Sequence, residues 1–141
     1  VAALHRFGAP VIVLDFGTAT TLDVVSARGE YLGGVIAPGI GVSAEALFTR
    51  AARLSRVDLR RPQRVIGRTT EESVQSGLFH GYASLVEGLV ARVREDLGSP
   101  ARVVATGGFA PVLEEALPSL EAVDPHLTLH GLRLVWERNR R

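Results

Sequence analysis

Three short runs rich in branched and apolar residues open the chain, at residues 10 to 15, 20 to 26 and 30 to 37, parted by Gly17 and by Ala27-Arg28-Gly29. Runs of this length between turn formers predict strands, and their close spacing predicts an antiparallel meander. Beyond Pro38-Gly39 the period lengthens. Ser43 stands where it can cap a helix with a stripe of Ala46, Leu47, Ala51 and Leu54, ending near residue 55. Residues 57 to 68 carry several arginines and Pro62 and predict an exposed connection.

The longest helix is predicted from Thr69 or Thr70 to Leu97, with Val74, Leu78, Leu85, Leu89, Val93 and Leu97 on one broad face. Thr69 and Glu72 have the spacing of a capping box, in which a hydroxyl and a carboxylate satisfy the exposed amides of the first turn. Gly77, Gly81 and Gly88 lie near one face of this helix. A glycine inside a helix costs about 1 kcal/mol relative to alanine, so something needs the space: close packing of another helix, or a ligand near the backbone. A buried strand follows at Ala101 to Ala105, leading into Thr106-Gly107-Gly108. A helix from Pro111 to Leu117, a short strand near Glu121 to Val123 and a last helix from Leu127 to Arg138 complete a β–β–β–α–α–β–α–β–α order. Periodicity alone makes this an α/β chain.

With 141 residues, 46% of them hydrophobic, the chain can bury a sizeable core as one domain. A net charge of +1 sets up no field that argues for nucleic acid or a membrane surface. Every non-histidine basic residue is arginine, so no lysine clamps a phosphate within these residues. The absence of cysteine excludes disulfides and thiolate metal sites and is compatible with a cytoplasmic protein. No apolar stretch approaches the roughly 20 residues that cross a bilayer.

The candidate chemistry lies in Asp15-Phe16-Gly17-Thr18-Ala19-Thr20-Thr21, directly behind the apolar Val11-Ile12-Val13-Leu14. Here a buried strand delivers a carboxylate, then a glycine that lets a ligand approach the backbone amides, then hydroxyl donors. Such a strand end suits a phosphate or a metal; the alternative is a hairpin turn with threonines as ordinary strand formers. His5, His80, His126 and His130 have no metal-ligand spacing, and Glu71, Glu72, Glu114 and Glu115 read as charges favoured at helix starts. Trp136, with Leu132 and Val135, reads as core or interface packing, and Arg138, Arg140 and Arg141 as a solvated tail.

Five motifs in order, DFGTATT at 15 to 21, GEYLGGVIAPGI at 29 to 40, TEESVQSG at 70 to 77, ATGG at 105 to 108 and DPHLTLHGLRLVWERNR at 124 to 140, resemble those of the type III pantothenate kinases. These belong to the acetate kinase, sugar kinase, heat-shock protein and actin superfamily. The resemblance implies a ribonuclease H-like (actin-like ATPase) lobe: a mixed sheet that starts with three antiparallel strands and carries flanking helices. Two family motifs, DxGNT and GxDR, are not found, and the second supplies the catalytic aspartate. The expectation is therefore a single C-terminal lobe of a two-lobe kinase, inactive alone and without a catalytic residue of its own.

The implied reaction moves the γ-phosphoryl of ATP to the hydroxyl of pantothenate, the first step of coenzyme A synthesis. The family match makes Asp15 the ligand of a monovalent cation, K+ or NH4+, with Mg2+ accompanying ATP. It gives Thr18, with Gly17, Gly107 and Gly108, to ATP, and Thr70 to pantothenate. The alternatives are a turn for Asp15, a plain helix cap for Thr70, and a tight strand-to-helix turn for the two glycines. The resemblance also implies a homodimer, which the long helix would mediate. A regulatory role like that of the related Bvg accessory factors is the alternative function.

Overall fold

The computed structural model describes residues 1–51, 54 and 56–140. Its element order is α1 (Ala2–Phe7), β1 (Val11–Phe16), β2 (Ala19–Val25), β3 (Tyr31–Pro38), α2 (Ile40–Arg50), α3 (Thr70–Leu97), β4 (Arg102–Thr106), α4 (Ala110–Leu113), a 3₁₀ turn (Glu114–Ala116), β5 (Ala122–Val123) and α5 (Leu127–Arg138). The five strands form one sheet in the order β3-β2-β1-β4-β5. The β1–β2 and β2–β3 pairs are antiparallel, as the meander predicts, and β1–β4 and β4–β5 are parallel.

The central strands β1 and β4 are buried on both faces, which explains their nearly continuous apolar character. On one face Ile12, Leu14, Phe16, Leu22, Val103 and Ala105 pack with Phe79, Tyr82, Val86 and Val90 of α3 and with Leu113 and Leu117. On the other, Val11 and Val104 meet Ala2 and Ala3 of α1 and Leu127 of α5. This second, smaller core depends on α1, which the sequence pattern did not reveal: a six-residue helix without a capping side chain carries no boundary signal.

Two helices differ from expectation. Helix α2 begins at Ile40 with Gly39 as its cap, four residues before the expected cap Ser43, and it buries Ile40 and Ala44 while Ala46 and Leu47 stay exposed. It ends at Arg50, and the expected end near residue 55 falls on Ser55, outside the described residues. Helix α3 has the expected limits, yet its buried face is Gln75, Ser76, Phe79, Tyr82, Ala83, Val86 and Val90. Two polar residues at buried positions disguise the stripe, so Leu85, expected inside, is 41% exposed. Thr69 Oγ1 accepts from the Glu72 amide at 3.1 Å, but the Glu72 carboxylate accepts from Arg68 N at 2.6 Å, one residue before the cap itself.

Trp136 is 55% exposed and not core. The Arg140 guanidinium lies over its ring, 3.9 Å from the centroid, so Arg140 is stacked on an aromatic face and is not a free tail; Arg141 lies outside the described residues. No helix among the described residues is long and apolar enough to cross a membrane.

Candidate functional site

Register fixes the surroundings of Asp15. It stands at the carboxyl end of β1, opposite Thr21 of β2 and opposite Thr106 of β4. Because side chains alternate across a strand, Leu14 and Phe16 enter the α3 core while Asp15 opens on the other face with Val13. There a groove of about 280 Å³ runs between the sheet and helices α1 and α5, lined by Val13, Asp15, Asp23, Tyr31, Thr106 and Thr128 among others.

Three glycine turns close on this strand end. The β1–β2 hairpin turns at Gly17-Thr18, with Gly17 N donating to Ala19 O at 3.1 Å. Gly107, just past β4, has φ +94°, and a Cβ placed on it would stand 2.6 Å from the Phe16 amide nitrogen and 2.7 Å from Asp15 Oδ1. Only glycine allows both that backbone and that approach. Gly39, at the end of β3, donates its amide to Thr18 O at 3.0 Å, and a Cβ there would collide with the carbonyls of Gly17 and Thr18. Residues from three separate stretches of the chain thus meet where parallel strands β1 and β4 end. Ligands collect at this end of open α/β sheets.

Helix α3 is pinned to the same corner. The Tyr82 hydroxyl bonds Thr20 Oγ1 and donates to Pro38 O at 3.2 Å. Burial raises the Tyr82 pKa above its usual 10.0, against the opposing effect of hydrogen bonds involving Thr20 and Ile40, so it is a neutral hydroxyl at physiological pH.

The strand end offers a defined chemistry. Thr18 and Gly108 are exposed, while Asp15, Gly17 and Gly107 are half-buried. A hydroxyl and glycine backbone amides suit phosphate oxygens. The carboxylate of Asp15, with hydroxyl-bearing Thr21 and Thr106 on either side in register, is an all-oxygen set that fits a hard monovalent cation. No group of three or more His, Asp or Glu side chains among the described residues is arranged to hold a metal.

Of the residues expected from sequence, the fold brings Asp15, Gly17, Thr18, Gly107 and Gly108 together and leaves Thr70 apart. Thr70 is exposed in the first turn of α3, twelve residues from Tyr82, which is about 18 Å of helix. Three residues of the corner were not assigned a role from sequence: Gly39, Thr106 and Tyr82. Gly39 lies inside the second motif and Thr106 inside the fourth, so proximity to a glycine turn marks both; nothing local marks Tyr82.

The family model described as type III pantothenate kinase matches residues 1–92. Relatives named type III pantothenate kinase include those of Koribacter versatilis, 57% identical over 139 residues, Acidiphilium cryptum, 55% over 139, and Roseiflexus castenholzii, 56% over 140. Each alignment covers 99% of this chain and 51%, 52% and 55% of the relative, respectively. The chain spans about half the length of the curated relatives it matches. Among solved structures, a Baf family transcriptional activator from Campylobacter jejuni aligns over 99% of this chain and 62% of its own, with a TM-score of 0.68 and 23% identity. That likeness supports the fold. By the extent of the family match and the level of identity, the chain belongs to the type III pantothenate kinase family.

Proposed function

We propose that these residues form the C-terminal, nucleotide-binding lobe of a two-lobe pantothenate kinase. The observation that carries this reading is the meeting of Gly17-Thr18, Gly39 and Gly107-Gly108 around Asp15 in a member of this family. In phosphoryl transfer the protein supplies positioning and charge compensation more than covalent chemistry. Thr18 and the Gly107-Gly108 turn receive ATP, which enters with Mg2+, while Gly17 leaves room beside them and its amide stays bonded to Ala19 O. Asp15 holds a monovalent cation, K+ or NH4+, whose charge offsets that of the phosphates. The P–O bond between the γ-phosphorus and the oxygen bridging to the β-phosphate breaks, and the acceptor hydroxyl of pantothenate becomes the new partner. The proton of that hydroxyl passes to a carboxylate outside these 141 residues. Thr70, at an exposed helix start with amides nearby, is the pantothenate contact.

The same reading includes a homodimer formed through the outer face of α3. Gly77, Gly81 and Gly88 are exposed there, and a Cβ on any of them would meet nothing within 4 Å, so no part of the described chain uses the space they leave.

The deciding experiment is calorimetric titration of this chain with a non-hydrolysable ATP analogue in K+ and in Na+ buffer. Binding is expected in K+, weakened about tenfold or more by Thr18→Ala, with Asp15→Asn removing the preference for K+. Absence of binding, or binding indifferent to both substitutions, would overturn the assignment. Pantothenate phosphorylation is expected only when the chain is part of a protein that also carries the DxGNT and GxDR motifs. Turnover by the 141 residues alone at the rate of an ordinary kinase would refute the division of labour.

A further inference from the structure

Gln75 and Ser76 occupy core-facing positions of α3 although both are polar, and both spend their hydrogen bonds on the connection that precedes the helix. Gln75, 7% exposed, donates Nε2 to Asp58 O at 2.9 Å, and the Ser76 hydroxyl bonds Val65 O. Gly67 presses against the helix so closely that a Cβ on it would strike the Ser73 amide. The connection is thereby fastened along its length, and it carries Arg60, Arg61 and Arg64. Where it folds back on α3 it encloses a cavity of about 260 Å³, lined by Arg60, Arg61, Pro62, Arg64, Glu72 and Gln75 among others.

The charges in this cavity are unbalanced. Arg61 is paired with Glu115 at 2.5 Å, and the Glu72 carboxylate already accepts from the Arg68 amide. Among the described residues no carboxylate lies within 4.0 Å of the Arg60 or Arg64 guanidinium. Two such guanidiniums on a fastened loop present forks of donors that match the oxygens of a phosphate or carboxylate. A cavity of about 260 Å³ has room for a compact anion.

We propose that this cavity binds a small oxyanion, a phosphate or carboxylate group held by Arg60 and Arg64. The site is separate from the one assigned above. Glu72 lies two residues beyond Thr70, about 200° around the helix axis, so the cavity and Thr70 face opposite sides of α3. The proposal therefore stands or falls independently of the kinase reading.

The test is amide chemical-shift mapping of this chain by NMR at low ionic strength, titrated with pyrophosphate and, separately, with malonate. Shifts are expected for residues 59–64, Glu72 and Gln75, weakening as salt is added. Response to pyrophosphate alone identifies a phosphate site, to malonate alone a carboxylate site, and to both a general oxyanion site. Arg60→Gln with Arg64→Gln should weaken the response at these amides at least tenfold, and Arg64→Gln alone by an intermediate factor. Thr18→Ala should leave it unchanged. No shifts with either anion, or equal affinity in the doubly substituted chain, would overturn the proposal.

Discussion

Gly107 and Asp15 are neighbours across the parallel β1–β4 pair, and no side chain separates them: a methyl group on the glycine would stand 2.7 Å from the carboxylate oxygen. Replacing Gly107 by alanine forces a left-handed backbone on a residue that resists it and drives the new methyl into Phe16 and Asp15 at once. The Gly107→Ala chain is expected to lose about 2–4 kcal/mol of stability, the sum of a backbone and an overpacking penalty. Thermal unfolding should reveal a drop of about 10 °C for a domain of this size. A chain that melts within about 2 °C of the parent would mean that the β4 turn relaxes freely.

Tyr82→Phe removes the hydroxyl that joins Thr20 to Pro38 O while leaving the ring in place. The expected cost is about 1–3 kcal/mol, because buried partners lose their hydrogen bond without gaining water. Urea unfolding should give a lower midpoint with an unchanged slope. The double substitution with Thr20→Val should cost less than the two single changes added, since both act on one bond; full additivity would count against the pin.

How much of this was legible in the sequence depends on how far apart the partners lie along the chain. Strands β1 to β4 were readable because branched residues lie between turn formers, and α3 because Thr69 and Glu72 mark its start. Asp15, Gly17 and Thr18 were readable as a group because they are contiguous. The rotation of α3 was not, since Gln75 and Ser76 face inward for the sake of carbonyls at Asp58 and Val65, and a polar residue at a core position erases the stripe. The role of Tyr82 depends on partners 62 and 44 residues away, which no local pattern encodes.

Asp124 gives the second core a dependence on acid. It is 3% exposed; burial works against its charge, but the His126 amide, the Arg6 and His130 side chains and the bond from Arg6 outweigh that and hold its pKa below the usual 3.8. A carboxylate with a depressed folded pKa stabilises fully above its ordinary value and ceases to do so as pH falls through the folded one. Asp124→Asn should therefore lower stability by about 1–2 kcal/mol at neutral pH, a modest figure because Arg6 is half exposed. The difference from the parent should shrink only below about pH 4. A gap that closes between pH 5 and 7 would count against Asp124 as the titrating group.

Gly81→Leu separates self-association from folding. Nothing lies within 4 Å of a Cβ at Gly81, so the substitution should stabilise the isolated lobe by up to about 1 kcal/mol through helix propensity. At the same time it should shift the sedimenting species from twice the monomer mass to one at micromolar concentration. A parent chain that sediments as a monomer would remove the proposed interface, and a destabilised variant would mean that something within the lobe covers this face.

The anchoring of α3 at Tyr82 makes the helix a lever. Its first three turns extend from the fixed point to Thr70 as a stiff arm of about 18 Å, so a tilt of about 5° at the anchor carries Thr70 through about 1.5 Å. The fulcrum touches Thr20 and Pro38, next to the turns that would feel a bound phosphate. A displacement at Gly17 or Gly39 that tilted the helix would be magnified at the far end of the arm, and the connection bonded to Gln75 and Ser76 would be carried with it.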